Sequence, residues 1–350
     1  MRQARIKIGG EAAVYHCISR VVGGERLLDD VAKEVLRRMM WKTAAFSGVE
    51  VLAYCLMSNH FHVLVRVLPQ ESLDRPELLR RYRAYYGETP TSPGFPSAEL
   101  LAAKFEENGE EAARWEARLR LRMGDLSEFM KTLKERFTIW FNKTHRRFGT
   151  LWSERFKSLL VEDSAFALKT VAAYLDLNPV RAGLVNDPAD YRWCSYAEAM
   201  AGKTHALCGL RQVVGLGEDT SVSFVLEAYR VLLFGKGGVS RKKDQAVIPE
   251  ERVRSVLAAG GKLEAAELLR ARVRHLTEGG ILGSRQFLRR IMGDDGGAPG
   301  FSEGPFREPR RARPRYGELP LVEDENGAAG PLMAWRRPRR KPSPDPGQTV

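Results

Sequence analysis

The chain has 350 residues, a formal net charge of +12 and a mean hydropathy of −0.34. That length holds one sizeable core with a smaller module, or two domains. The basic balance points to a polyanionic partner, most directly nucleic acid, and the lack of a long apolar segment or basic anchor helix argues against a membrane. Met1-Arg2-Gln3-Ala4-Arg5 leads into charge and not an apolar stretch, so no secretory signal is read and a cytoplasmic, nucleoid-associated setting is expected.

Ala13 to Ser19 alternates apolar and polar residues and predicts a first strand. Asp29 to Phe46 carries Val31, Val35, Leu36 and Met39 at helical spacing, with Asp29 or Asp30 placed to cap it. Val49 to Leu56 and His60 to Leu68 predict two strands joined by a turn through Met57-Ser58-Asn59. Residues 70–124, rich in Arg, Glu and Leu with a break from Gly87 to Ser97, read as a helical insertion. A long amphipathic helix is predicted from Asp125 to about Lys143, with Phe129, Leu133, Phe137, Trp140 and Phe141 inward, leaving Lys131, Lys134 and Arg136 for solvent or phosphate. Arg155 to Glu162 supplies a fourth strand and Ser164 to Asn178 a further helix.

The first six elements match a ferredoxin-like α+β arrangement, a four-stranded antiparallel sheet with helices on one face. Its second face is then open for a site. A domain over residues 1–205 is followed by a helical C-terminal segment over 206–293. That segment has helices expected at 249–259, 263–276 and 284–292, Ser284 as a cap for the last, and a helix-turn-helix role is one reading of it. The tail from 294 to 350 reads as disordered, with basic clusters Arg310-Arg311-Ala312-Arg313 and Arg336-Arg337-Pro338-Arg339-Arg340-Lys341 suited to phosphate.

Two groups carry chemistry. In Cys55-Leu56-Met57-Ser58-Asn59-His60-Phe61-His62, strand alternation puts His60 and His62 on one face and Phe61 on the other, offering two adjacent imidazoles to a divalent ion. A half-buried strand whose polar face carries two histidines is the plainer alternative. In Tyr174-Leu175-Asp176-Leu177-Asn178-Pro179 the Tyr and Asn lie a helical turn apart, and Pro179 is expected to end the helix and free the Asn178 amide. That pair offers a phenol for attack and a neutral oxygen as a third ligand; a core tyrosine beside a C-terminal cap is the alternative. Tyr15, Tyr54, Tyr191 and Tyr196 are rival nucleophiles, but none has an amide four residues on at a helix terminus. Cys17, Cys55, Cys194 and Cys208 form no CxxC pair, and Cys194, His205 and Cys208 lack a fourth ligand for zinc.

Three blocks in register resemble the single-tyrosine transposases of the HUH class, and most closely the REP-associated tyrosine transposases. They are Met57-Ser58-Asn59-His60-Phe61-His62, Phe148-Gly149-Thr150-Leu151-Trp152-Ser153-Glu154-Arg155-Phe156-Lys157-Ser158, and Tyr174-Leu175-Asp176-Leu177-Asn178-Pro179-Val180-Arg181-Ala182-Gly183. The resemblance covers about residues 10–200. It implies Tyr174 as nucleophile, and His60, His62 and Asn178 as ligands of Mg²⁺ or Mn²⁺. It further implies single-stranded or hairpin DNA as substrate, cleaved and joined through a 5′-phosphotyrosine by a monomer or homodimer. Arg146, Arg147, Arg155, Lys157 and Arg181 are candidate backbone contacts, and Trp140 or Trp152 candidate stacking surfaces. A hydrolase using metal-activated water and a non-catalytic DNA-binding protein that keeps the fold are the competing readings.

Overall fold

The computed structural model describes residues 6–69, 73–88, 94–237, 280–292 and 333–335. Its first three strands are β1 (Ala13–Arg20), β2 (Val49–Leu56) and β3 (His60–Val67); β4 (Lys157–Val161), β5 (Ile281–Gly283) and β6 (Met333–Trp335) follow. The sheet order is β2-β3-β1-β4-β5-β6. β1 lies between β3 and β4, with all pairings among the first four strands antiparallel, as in the ferredoxin-like arrangement. The fold is α+β.

Two strands were not expected. β5 runs parallel to β4, and β6 lies antiparallel to β5, so the four-stranded sheet has six strands and the downstream sequence is not helical throughout. Three-residue strands are too short to show an alternating pattern. They form because β4 presents an open edge, whose Leu160 and Glu162 amides donate to the carbonyls of Gly280 and Leu282. A side chain at Gly283 would come within 2.5 Å of the Phe287 ring and 2.8 Å of Glu162 Cβ, so this crossing needs glycine.

One face of the sheet is covered by α1 (Asp30–Ser47) and α5 (Leu126–Thr144). Asp29 caps α1, accepting from the Ala32 amide at 2.7 Å, and Gly48, at φ +68°, turns the chain out of it. Leu36, Met40, Phe129, Leu133, Phe137 and Phe141 bury against Phe61, Val63 and Val65. Beside α1, α2 (Arg75–Tyr86), α3 (Ala98–Glu107) and α4 (Glu110–Arg120) close a separate aromatic cluster of Phe46, Tyr82, Tyr85, Tyr86 and Phe105.

The opposite face is not left open, contrary to expectation. α6 (Ala165–Asp176), α8 (Ser195–Met200), α9 (Thr204–Val214) and α10 (Val222–Gly237) cover it, burying Leu168, Val171, Leu175 and Leu210 against Val14, Leu52 and Leu64. Each such aliphatic side chain contributes roughly 1.5–3 kcal/mol of burial. α9 comes so close that a side chain at Gly209 would meet the carbonyl oxygens of Val51 and Leu52 at 2.7 Å, where β2 breaks register with β3. Hence α6 is wedged onto the face that carries His60 and His62.

Of the three helices expected at 249–259, 263–276 and 284–292, only the last falls among the described residues, as α11 (Arg285–Met292), and Ser284 Oγ caps it by accepting from the Phe287 amide at 3.1 Å. The helices expected at 249–259 and 263–276 and both basic clusters of the tail lie outside the described residues. Cys17, Cys55 and Cys194 are buried and Cys208 exposed. His205 packs on Trp41 and bonds Glu198.

Candidate functional site

β3 opens at the turn through Ser58 and Asn59, closed by the Met57 amide donating to the His60 carbonyl at 2.8 Å. Strand alternation then sends Phe61 and Val63 into the α1/α5 core, and His60 and His62 to the α6 face. Their ring centroids are 4.9 Å apart, with planes nearly perpendicular. On the neighbouring strand, His16 lies diagonally from His62 in the register and is fully buried. His16 Nε2 and His62 Nδ1 form a 2.9 Å hydrogen bond, the rings stacked at 5.1 Å.

Tyr174 comes down from α6 onto these rings. Its centroid is 5.7 Å from that of His62 and 6.1 Å from that of His16, edge-on to both. The helix is fixed there from behind. Asp176, fully buried, accepts from Tyr229 Oη at 2.6 Å, Ser195 Oγ at 2.8 Å and the Tyr196 amide at 3.2 Å, which ties the end of α6 to α8 and α10.

Pro179 does not end the helix at Asn178. Leu177 keeps right-handed helical backbone angles and the chain re-enters a short helix, α7 (Asn178–Arg181). Proline fits the first turn of a helix, where its missing N–H removes no bond and its φ is already set. The Asn178 amide therefore points back and donates to the Leu175 carbonyl at 3.2 Å; it also hydrogen-bonds Tyr174 in a way that favours the phenolate. Tyr174, Asn178 and Arg181 follow i, i+4, i+7 spacing and share a face. The Arg181 guanidinium lies 4.9 Å over the Tyr174 ring.

Burial sets the electrostatics. It pushes His62 well below the ordinary imidazole range, helped by His16 and His60, and lowers His60 to about 4, helped by Arg20. It raises the Tyr174 phenol to about 12, against Arg181, Arg20 and the Asn178 hydrogen bond. Both imidazoles are thus neutral at pH 7, as metal coordination requires. His60 Nδ1 bonds Asn59 Oδ1 at 2.6 Å; an amide oxygen only accepts, so Nδ1 carries the hydrogen and Nε2 the lone pair. The Asn59 bond leaves the His60 Nε2 lone pair free, while in the His62–His16 bond the donor is set by the tautomers of the two rings. Among the described residues no three His, Cys, Asp or Glu side chains form a metal-binding group. A cation here would rest on two imidazoles and the Asn178 amide.

The predicted His60, His62, Tyr174 and Asn178 are brought together, with Arg181 beside them. Arg146, Arg147, Arg155 and Lys157 are not part of the ring cluster. They lie on or beside the connection from α5 to β4, which is pinned to the end of β1 by Ser153 N donating to Arg20 O at 3.0 Å and Val22 N to Leu151 O at 2.9 Å. Arg146 and Arg155 are exposed, Lys157 pairs with Glu154, and one nitrogen of Arg147 is enclosed. Trp152 is a core residue between Phe61 and Phe137, which removes it as a stacking surface, and Trp140 is half-buried on the same core. Phe148, by contrast, is 95% exposed at the tip of this loop.

Sequence reading missed His16 and Arg20. His16 sits in the alternating run that marked β1, but its tie to His62 depends on strand pairing between distant segments. Arg20 ends β1 directly opposite His60 in the register.

The family model described as "Transposase IS200 like" matches residues 11–82. One similar solved structure is described as "Structure of the REP associates tyrosine transposase bound to a REP hairpin", with 16% identity, 57% of this chain and 86% of that chain covered, and a TM-score of 0.36. No curated protein matches the chain. The blocks around Trp152 and Tyr174 lie beyond the residues the family model matches. The transposase resemblance read from the sequence blocks is thus matched by a family model over residues 11–82, the segment that supplies His16, His60 and His62.

Proposed function

We propose that the chain cleaves and rejoins single-stranded DNA at hairpin-forming repeats, with Tyr174 as the nucleophile. The observation that carries this is the convergence of the Tyr174 ring on the His62 and His16 rings, at 5.7 and 6.1 Å, on the sheet face opposite the main aromatic core. All of these residues come from one chain, which supports a site that a monomer completes by itself.

The phenol oxygen attacks a backbone phosphorus. A bond forms from that oxygen to phosphorus, the bond to the 3′ oxygen breaks, and the phenolic proton ends on the released 3′-hydroxyl. The 5′-phosphotyrosine conserves the phosphodiester energy, so a 3′-hydroxyl from another strand reverses the step without a nucleotide cofactor. His60, through Nε2, His62 and Asn178 would hold Mg²⁺ or Mn²⁺; bound there, the ion would withdraw charge from the phosphate and lower the barrier to attack. Asn178 and Arg181 favour the phenolate, which matters because a phenol raised to about 12 is protonated at neutral pH. His16 keeps the His62 ring turned towards Tyr174.

Arg146, Arg147, Arg155 and Lys157 line the loop beside Arg20 and suit a phosphate backbone, with Phe148 taking the base-stacking role expected of Trp140 or Trp152. A nucleoid-associated place in the bacterial cytoplasm is the setting this reading implies. The test is a denaturing gel of the full chain incubated with labelled hairpin oligonucleotides and Mg²⁺ or Mn²⁺. A label that migrates with the protein supports the reading; retarded migration in native gels with neither adduct nor cleavage supports the non-catalytic alternative. Cleavage without an adduct supports a hydrolase.

A further inference from the structure

We propose that Arg181 is an anion clamp built into the Tyr174 site, its guanidinium holding the non-bridging oxygens of the phosphate that Tyr174 attacks and then carries. The identity of that anion rests on the strand-cleavage reading; the existence of an anion site does not. Arg181 is half-buried, stacked 4.9 Å over the Tyr174 ring, and its Nη1 is enclosed with no hydrogen-bond partner. An enclosed guanidinium nitrogen without an acceptor is destabilising and is uncommon in folded proteins. Arg66 pairs with Asp163 and Arg37 with Glu34, whereas Arg147 Nη1 and Arg211 Nε share the unpartnered state; Arg181 alone of these stacks on the Tyr174 ring.

Among the described residues Arg181 forms no ion pair with a carboxylate. The principal charges acting on His60, His62, Tyr174 and Arg181 come from arginines, histidines, Tyr174 itself and Cys55. Burial lowers the guanidinium from its ordinary value, opposed only by the Tyr174 phenol. A site edged by Arg20, Arg181 and neutral imidazoles is electropositive before any cation binds. The planar fork of arginine matches two phosphate oxygens, and its place on α7, tied by the Arg181 amide to the Leu177 carbonyl at 3.0 Å, holds the guanidinium over the Tyr174 ring. Clamping neutralises charge that builds on the phosphate during attack. Arg181 gives and takes no proton.

The test uses the full chain with Arg181→Gln and Arg181→Lys, and inorganic phosphate as the first probe. Phosphate is expected to raise the melting temperature of the unmodified protein, less that of Arg181→Lys, and not that of Arg181→Gln. An equal rise in all three overturns the proposal. The second readout is the rate of adduct formation on a hairpin oligonucleotide. Arg181→Gln is expected to slow it about 10²–10³-fold, as loss of a charge-stabilising donor does, with little change in oligonucleotide affinity. An unchanged rate overturns the clamp. If the unmodified protein forms no adduct, the cleavage reading fails while the phosphate arm still decides for or against the anion site. Should Arg181→Gln not fold, Arg181→Lys decides: an undiminished phosphate response together with a lower melting temperature assigns Arg181 to packing and overturns the clamp.

Discussion

His16 Nε2 stands 2.9 Å from His62 Nδ1, so the ring of one strand is held by the ring of its neighbour. A partner on the far nitrogen fixes both the tautomer and the direction of an imidazole, and losing such a partner commonly weakens metal binding about 10–100-fold. His16→Ala is therefore expected to weaken Mn²⁺ binding by that order in titration calorimetry, with the far-ultraviolet circular dichroism unchanged. Unchanged Mn²⁺ affinity would remove His16 from the site.

The buried imidazoles make the fold sensitive to acid in a defined window. His60 titrates near 4 in the folded protein, against about 6.5 when exposed in the unfolded chain. Its folded value is depressed, so the unfolded state takes up the proton first, and stability present above pH 6.5 is lost as the pH falls towards 4. Over that span the loss from His60 alone is about 3 kcal/mol. Urea unfolding of His60→Ala across pH 4–7 should lack this part of the slope; parallel curves for the two proteins would contradict the shift.

Asp176 acts in the opposite sense. Burial raises its carboxyl to about 6, above the ordinary aspartate value, so its contribution is full below that ordinary value and is lost as the pH rises through 6. Relative to Asp176→Asn, the unmodified protein should gain stability as the pH falls from 6 to 4. Because Asp176 anchors α6 behind Tyr174, the same variant should slow adduct formation. A pH-independent difference in unfolding free energy would count against the buried-carboxyl account.

Phe148 is the exposed aromatic of the basic loop. Its truncation to alanine is expected to weaken oligonucleotide binding by about 1–3 kcal/mol, the usual worth of one base–aromatic stack, and Phe148→Trp to restore it. Fluorescence anisotropy at fixed salt measures both; equal affinity of all three proteins would show that bases do not stack there.

The order of the first four strands and the helices between them is legible because their apolar residues repeat at strand or helix period over five or more residues. His60, His62, Tyr174 and Asn178 were legible for a related reason, since each pair is local in sequence and period alone sets its face. What the sequence hid was non-local. His16 and Arg20 join the site only through the β1–β3 register, and β5 and β6 are too short to show a period. Trp152, a candidate stacking surface by sequence, bridges to Val21 and fills the core between Phe61 and Phe137, a placement that depends on pairing with distant segments. Pro179 was read as a stop, although its ring suits the start of α7 equally well.

The central claim is that the Tyr174 oxygen becomes bonded to DNA, and mass spectrometry of the proteolysed reaction mixture tests it most directly. The account predicts a nucleotide-bearing peptide that contains Tyr174, formed only with Mg²⁺ or Mn²⁺ present and absent from Tyr174→Phe, which still binds the oligonucleotide. An adduct on any other tyrosine, or an undiminished adduct in Tyr174→Phe, would contradict it.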